Sequence, residues 1–385
     1  MKRHFLKEEH AIFRSSLRKF LEQEAAPYFA DWEVNQQIPR SFWKRAGEQG
    51  YLCSWAKEAY GGFEADFRYS VVLNEEFERI GTAMVGLGLH NDIVMPYIDT
   101  YGSEEQKKRW LPKAIQGEII SAIAMTEPGA GSDLAAIQTT AKKDGDAYIV
   151  NGEKTFITNG SSADLVVVVC KTNPHAQPAY KGISLLVVEA NTPGFRKGKK
   201  LKKMGQHAND TCELIFEDAR VPAGNLLGEE GKGFYYLMEK LQQERLLVSM
   251  QSVAAIKEMI TITSEYVKQR KAFGKRISEF QHTQFQLAEL YTEWQIGNVF
   301  VDRLIEQHMA GEQIVSEVSM AKWWTTDLAK KVAAICMQLH GGYGYMEEFE
   351  IARRYRDVAV SSIYAGSNEI MKLIIAKNMG LVDAK

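Results

Sequence analysis

Cysteine is scarce and scattered: Cys53, Cys170, Cys212 and Cys336 are the only four in 385 residues. They form no CxxC pair and have no histidine at metal-ligand spacing, which argues against a disulfide framework or a zinc site and predicts no metal. An excess of charge of either sign is also missing. Lys plus Arg number 47 against 49 Asp plus Glu, a formal charge of −2, so no basic face advertises nucleic acid as a partner. The longest apolar run, ADLVVVVC at 163–170, is far too short for a membrane span. The N-terminal MKRHFLKEEH lacks an apolar signal core, and its two glutamates set it apart from a transit peptide. Together these absences predict a soluble, reducing, cytoplasmic setting.

What is present changes character twice along the chain. From residue 6 to about 120 the pattern is helical, with Ile12, Phe13, Leu17, Phe20 and Leu21 spaced for one buried face and breakers at Pro39, Gly61-Gly62 and Pro96. From about 122 it turns β-rich. YIVNGEKTFIT, 148–158, sets Asn151-Gly152 between two β-rich runs, which predicts a hairpin turn. LVVVVC, ISLLVVE and CELIFEDARVP add three strands without intervening helices, so the sheet is expected to be antiparallel. After Pro222 helical periodicity returns, first as one long helix or two in succession closed by Gly274. The expected plan is mainly α with a middle β domain: an N-terminal α-helical domain at 1–121, a middle β domain at 122–230 and a C-terminal helical bundle at 231–385.

Four stretches carry candidate chemistry, and each has a plain structural reading beside it. TEPGAGSD, 126–133, is rich enough in small residues to wrap backbone N–H groups around a ligand. It lacks the Gly-Lys-Ser/Thr of a P-loop and the third glycine of a Rossmann fingerprint, and it serves equally as an ordinary loop. QLHGGYGY, 338–345, interrupts a helical segment with three glycines, as a close backbone approach or a tight interhelical turn would require. In QRKAFGK, 269–275, Arg270 is either a helix-dipole partner or a forked phosphate ligand. In LQQERLLVSM, 241–250, Glu244 shares the apolar face of Leu241 and Val248. Such a carboxylate pairs, with Arg270 one candidate, or stays at an edge, or has its pKa lifted to about 6 to 7 as a general base would.

SIYAGSNEIM, 362–371, reads as a helix start with capping residues Ser367 and Asn368, and its free N–H groups suit an anion or a polarised carbonyl. No acid or base stands between Tyr364 and Ser367, which leaves open what would move a proton there.

TEPGAGSD, TFITNG, QRKAFGK, QLHGGYGY and YAGSNE occur in the order and spacing of the acyl-CoA dehydrogenase family, and the resemblance covers essentially the whole chain. Long-chain members are resembled most, through HNDIVMPYI, GFYYLMEKLQQERLL and YVKQRKAFGK. The resemblance implies the acyl-CoA dehydrogenase-like fold with FAD between the β domain and a four-helix bundle. Met125, Thr126, Phe156 and Thr158 match residues lining the isoalloxazine, and Ser132 lies near flavin and acyl-CoA. Arg270, Phe273 and Gln281 match residues reaching a partner subunit's FAD. Gln338, Gly341 and Gly342 match the adenosine-side turn, with Ser367 and Glu369 completing the cofactor site.

On the substrate side the resemblance implies Tyr364, Ala365 and Gly366 at the thioester, and Gln242 and Arg245 near the pantetheine and ribose, with a structural ion pair the alternative for Arg245. Many members carry the catalytic glutamate where this chain has Ala365. Long-chain and isovaleryl members instead project it from the first long helix of the last domain, at the position of Glu244. The implied reaction is FAD-dependent α,β-dehydrogenation of a long straight-chain acyl-CoA to the trans-2-enoyl-CoA in fatty acid β-oxidation. An electron-transfer flavoprotein is the implied acceptor, and a homotetramer the implied assembly. An isovaleryl or other branched or short-chain substrate, an acyl-CoA oxidase and a non-catalytic relative are the competing readings.

Overall fold

The computed structural model describes residues 3–80 and 85–381. Residues 1–2, 81–84 and 382–385 lie outside these, and with them the outer ends of the first and last expected domains and Ala83 and Met84 of AMVGLGLHNDIVMPYI, where Gly86, Gly88 and Pro96 are expected either to loosen a helix at the end of an acyl pocket or to serve packing.

The N-terminal layer is built of α1 (Glu8–Glu24), α2 (Phe29–Asn35), α3 (Arg40–Glu48), α4 (Phe67–Arg79), α5 (Val85–Gly88), α6 (Met95–Tyr101) and α7 (Glu104–Ile115). On α1, Leu17 and Leu21 are buried and Phe13 and Phe20 pack half-buried against them, but Ile12 is 66% exposed. At about 100° per residue Ile12 falls well off the stripe that Phe13, Leu17 and Phe20 share. Pro96 does not break its segment. Residues 85–101 run from α5 through a π-helical turn, Leu89–Val94, into α6, so the helix is widened where the sequence suggested interruption.

The middle sheet comprises β1 (Ser121–Ala124), β2 (Thr140–Asp144), β3 (Ala147–Thr158), β4 (Leu165–Lys171), β5 (Ile183–Glu189), β6 (Phe195–Lys200), β7 (Thr211–Pro222) and β8 (Leu226–Leu227). Its order is β6-β7-β3-β2-β4-β5-β8, with β1 beside β4. Most pairs are antiparallel as expected, but β1 runs parallel to β4, and β2 meets β4 in parallel at Thr140 and Lys171. The expected turn at Asn151-Gly152 is corrected: β3 runs straight through it, and the hairpin closes earlier, at Gly145-Asp146 between β2 and β3. Both dipeptides carry turn chemistry. The Asn151 side chain instead exchanges two hydrogen bonds with Asp218 of β7, and Gly152, at φ 148°, takes up a bulge.

The last layer holds α8 (Gly233–Gln269), the hairpin β9 (Lys271–Ala272) and β10 (Lys275–Arg276), then α9 (Gln281–Met309), α10 (Val315–Leu339), α11 (Glu350–Val358) and α12 (Asn368–Asn378). α8 is one unbroken helix of 37 residues, about 55 Å long at 1.5 Å per residue. It ends before Gly274, which turns the β9–β10 hairpin and does not cap the helix. By length and composition α8 alone among the described helices could cross a membrane, yet most of its apolar window is buried inside the fold. Hydrogen bonds latch it to the N-terminal layer: Lys240 Nζ to Thr100 Oγ1 at 2.6 Å, Gln243 Nε2 to Asp92 O at 2.6 Å, Tyr97 Oη to Glu244 Oε1 at 3.1 Å, and Gln251 Nε2 to Asn74 Oδ1 at 3.1 Å.

Candidate active site

The polar residue on the apolar stripe of α8 is buried where the stripe meets α6. Glu244 is 6% exposed. Among the described residues its carboxylate has a single hydrogen bond, from the hydroxyl of Tyr97. The expected alternative partner, Arg270, lies at the far end of the helix and stacks over the Tyr343 ring. Burial raises the Glu244 pKa to about 7, against the opposing pull of the Tyr97 hydroxyl and the Arg245 charge. Arg245 is itself buried, and its Nε has no hydrogen-bond partner among the described residues. A carboxylate of this kind can take up a proton near neutral pH.

The loop 364–368 is held from α10. Lys322, fully buried, donates to Gly366 O at 2.8 Å and to Asn368 Oδ1 at 3.1 Å. Its pKa falls to about 8, chiefly through burial and next through the nearby Arg245 charge, which brings α8 and this loop to one neighbourhood. Ala365 has φ 53° and Gly366 φ 89°, so an alanine occupies the left-handed region that favours glycine. Ser367 is the N-cap of α12 by position, but its side chain accepts no capping bond. Asn368 binds instead to Trp323 O, Thr326 Oγ1 and Asp327 Oδ1 of α10. Tyr364 lines a cavity shared with Gln251 and Ser252, further along α8.

A second wall forms on the sheet. A bulge between Lys154 and Ile157 leaves Phe156 at φ 60° with 69% of its surface exposed, a strained aromatic presented outward. Thr126 Oγ1 donates to Thr155 O, and Thr155 N donates to Thr126 O, tying the TEPGAGSD loop to this strand. Beneath them Lys154, with no exposed side chain, donates to Met125 O at 3.0 Å and Glu127 Oε1 at 2.8 Å. Met125, Thr126, Phe156 and Thr158 are thereby gathered, with Ser132 exposed on the adjoining loop. A Cβ placed on Gly129 or Gly131 would touch nothing within 4 Å, so the loop has room for a ligand against its backbone.

Arg270, Phe273, Gln281, Gln338, Gly341 and Gly342 form a separate cluster at the far end of α8. Phe273 is 95% exposed at φ 51°, and Gly341 and Gly342 also face open space. On the sheet, the exposed aromatic on a bulge and the open glycine loop suit a planar ring system; the second open glycine turn with its forked cation suits a phosphate-bearing group. Among the described residues no three His, Cys, Asp or Glu side chains converge on a metal ion.

Known proteins share this fold. Models of the N-terminal, middle and C-terminal domains of acyl-CoA dehydrogenases match residues 7–118, 122–219 and 231–380. The chain belongs to the acyl-CoA dehydrogenase family. It is 49% identical to the mitochondrial long-chain specific acyl-CoA dehydrogenase of Sus scrofa over 98% of this chain and 88% of that one. Mitochondrial isovaleryl-CoA dehydrogenase of Pongo abelii is 37% identical, over 97% and 89%. The crystal structure of acyl-CoA dehydrogenase from Geobacillus kaustophilus superposes with a TM-score of 0.97 at 67% identity, covering 98% of this chain and all of that one. Family members are FAD-dependent oxidoreductases, and the two walls fit that cofactor. Relatives named for different acyl groups share the fold, so membership sets the chemistry and leaves chain length to the pocket.

Within this acyl-CoA dehydrogenase the expected residues are not all disposed alike. Gln242 is buried and spent on structure: Ile314 N donates to its Oε1 at 2.8 Å, and its Nε2 donates to Glu312 O at 3.0 Å. Ser367 is half-buried and Glu369 exposed at the start of α12, where Glu369's own backbone N–H and then the Ser367 side chain hold its carboxyl below the usual range. Tyr97, Lys154 and Lys322 escaped sequence reasoning. Lys154 on an inward-facing strand position and Lys322 on the buried stripe of α10 were readable as charges on apolar faces. Tyr97 left no such signal.

Proposed function

We propose that this enzyme removes two hydrogens from the α and β carbons of a long straight-chain acyl-CoA, forming the trans-2-enoyl-CoA in β-oxidation, with Glu244 as the base. The observation that carries this is a buried carboxylate with pKa near 7 on the helix facing a loop whose own site position is alanine. In this reading Glu244 accepts the α-proton. The N–H of Ala365 donates to the thioester carbonyl, where negative charge develops as the proton leaves, and Tyr364 and Gly366 flank it. Bound FAD would supply the acceptor for the β-hydride. Met125, Thr126, Phe156 and Thr158 would pack the isoalloxazine, Ser132 would reach flavin and acyl-CoA, and Ser367 and Glu369 would complete the site. Arg270, Phe273, Gln281, Gln338, Gly341 and Gly342 would hold a neighbouring subunit's cofactor, for which the exposure of Phe273 is the support. Arg245 and Gln242 would lie on the CoA side; the orphaned Arg245 Nε supports the first, and the spent amide of Gln242 limits the second to shaping the helix.

Gly86 and Gly88 separate in their support for a long acyl chain. A Cβ on Gly86 would lie 2.4 Å from Asn159 Oδ1, so that glycine serves packing. One on Gly88 would meet Gln251 Nε2 at 3.6 Å without clash, so Gly88 is not demanded by packing and leaves room beside α8. Electrons would pass to an electron-transfer flavoprotein. The exposed apolar side chains of α9, Phe285, Tyr291 and Ile296, support a homotetramer. Four free, buried cysteines fit a reducing, cytoplasmic setting.

Anaerobic addition of octadecanoyl-CoA, followed by flavin absorbance, tests the proposal. Bleaching is expected, and Glu244→Gln should slow it by about 10³-fold while retaining FAD. Equal bleaching in the variant would remove Glu244 from the chemistry. Bleaching by isovaleryl-CoA alone would move the substrate to the branched class, and rapid reoxidation by oxygen would mark an oxidase.

A further inference from the structure

Tyr97 is the residue in the molecule whose chemistry is wholly committed to the proposed base. It has no exposed surface and belongs to the core cluster shared by the N-terminal layer, the sheet and α8. Its hydroxyl reaches one acceptor, Glu244 Oε1, at 3.1 Å. A core position packed this closely would accept phenylalanine on apolar grounds alone, and a buried hydroxyl costs free energy unless it is bonded. The carboxylate in turn receives no other hydrogen bond from the described residues, although Arg245 is its neighbour in sequence.

We infer that Tyr97 is the positioning residue of the base: it pins Oε1 of Glu244 from α6 and leaves Oε2 as the oxygen presented to the substrate. The inference rests on the reading of Glu244 as the base. Two consequences follow from the chemistry of the pair. A donor to a carboxylate favours its ionised form, so the Tyr97 hydroxyl opposes the burial that drives the Glu244 pKa upward. The proton on Tyr97 stays in place, since burial first, and then the Glu244 charge, push the phenol well above its ordinary range. The phenol is a fixed donor and not a relay.

The charged and titratable groups around the pair are few. Arg245 contributes from α8 itself and favours the ionised carboxylate through space. The Arg245 charge in turn acts on Lys322 of α10. Tyr101 and Glu239 lie behind Tyr97. None of these donates a hydrogen bond to Glu244, so Tyr97 alone fixes the direction of its carboxyl plane. A carboxylate free to turn would present its oxygens to the substrate only part of the time, and misplacement of a reacting group lowers the chemical step more than binding.

The test is Tyr97→Phe in the FAD-loaded enzyme, which removes one oxygen atom and keeps the ring. The rate of anaerobic flavin bleaching at saturating octadecanoyl-CoA is followed from pH 6 to pH 9.5. The expected result is a rise of about one pH unit in the midpoint of the rate profile, from the loss of one hydrogen bond to a charged group. The shift alone lowers the rate about fivefold at pH 7, and lost aim lowers it further at every pH, so that the plateau at pH 9 stays below the unmutated one, with little change in KM. An independent readout is the infrared carboxyl band of Glu244, taken as the difference between unmutated and Glu244→Gln enzyme, whose titration should shift upward by the same amount in Tyr97→Phe. An unmoved midpoint together with an unmoved carboxyl titration would overturn the inference, whatever the plateau rate, and leave Tyr97 as packing. If Tyr97→Phe fails to fold, 3-fluorotyrosine incorporated at position 97, a stronger donor of nearly the same size, should move both readouts downward instead. Full-speed bleaching by Glu244→Gln would instead strike at the base assignment, and so separates the two claims.

Discussion

Glu127 under the sheet wall and Glu244 on α8 are buried almost equally, at 7% and 6% exposure, and end with opposite electrostatics. Burial pushes both carboxyls up. At Glu127 this is overcome by Lys154 and by donors from Gln138 and Thr139, which hold the carboxyl below its usual range. At Glu244 one phenol and a neighbouring charge do not suffice, and the pKa rests at about 7. The same side chain is therefore a strut in one wall and a base candidate in the other, according to how many donors meet it. Perturbation by itself selects too much. Burial also takes Glu78 to about 7, with Arg354 3.8 Å away, and Asp92 to about 6 beside the Ser70 hydroxyl. What separates Glu244 from these is its partners: one phenol and the neighbouring Arg245 charge, which also acts on Lys322, whereas Glu78 faces Arg354 in the cavity that Tyr364 lines.

The largest effect that would break this comparison is on the satisfied side. Lys154→Met removes the cation beneath Phe156 and Thr126 and strands Glu127 as a buried charge, a change costing about 3–5 kcal/mol. The expected outcome is loss of thermal stability together with release of FAD, seen as an early rise of free-flavin fluorescence on heating. Unchanged retention of FAD would mean that the sheet wall does not depend on its buried ion pair.

On the other wall the effect is kinetic. Lys322→Met deletes the donor to Gly366 O and releases the loop that keeps Ala365 at positive φ. The maximal bleaching rate should drop about tenfold, with FAD retained, because what is lost is aim and not cofactor binding. A fall in FAD content without a change in rate per flavin would place Lys322 with the structural residues.

How much of this was legible beforehand follows from the same contrast. The alternation of helical and β-rich stretches was readable because periodicity is local, and Glu244 was readable because a charge on an apolar stripe violates that local pattern. The turn at Asn151-Gly152 was misread because Gly145-Asp146, six residues earlier, carries competing turn chemistry, and cross-strand pairing with Asp218 settled the register. Tyr97 was invisible for a deeper reason. Its partner is 147 residues away in sequence, and an aromatic on a buried helix gives no sign of which group its hydroxyl will meet.

The smallest expected effect is also the most direct test of the contrast, because it reads both glutamates on one scale. Glu244, whose folded pKa is raised, binds its proton more tightly in the native state than in the unfolded chain. Its ionisation therefore subtracts stability as pH rises from about 4.5 through about 7, by up to roughly 3 kcal/mol. Glu244→Gln stands in for the protonated form and should melt a few degrees higher than the unmutated enzyme at pH 8.5, with a smaller gain at pH 5.5. Glu127, whose folded pKa is lowered, contributes stability that is complete above its unfolded pKa and is lost only as pH falls through the folded value. Glu127→Gln should therefore melt lower, by an amount that stays nearly constant between pH 5.5 and 8.5. Melting curves of the two variants across that range should diverge in sign and in slope. Parallel curves would mean that the two carboxyls share one environment in solution, and the distinction between strut and base would fall with them.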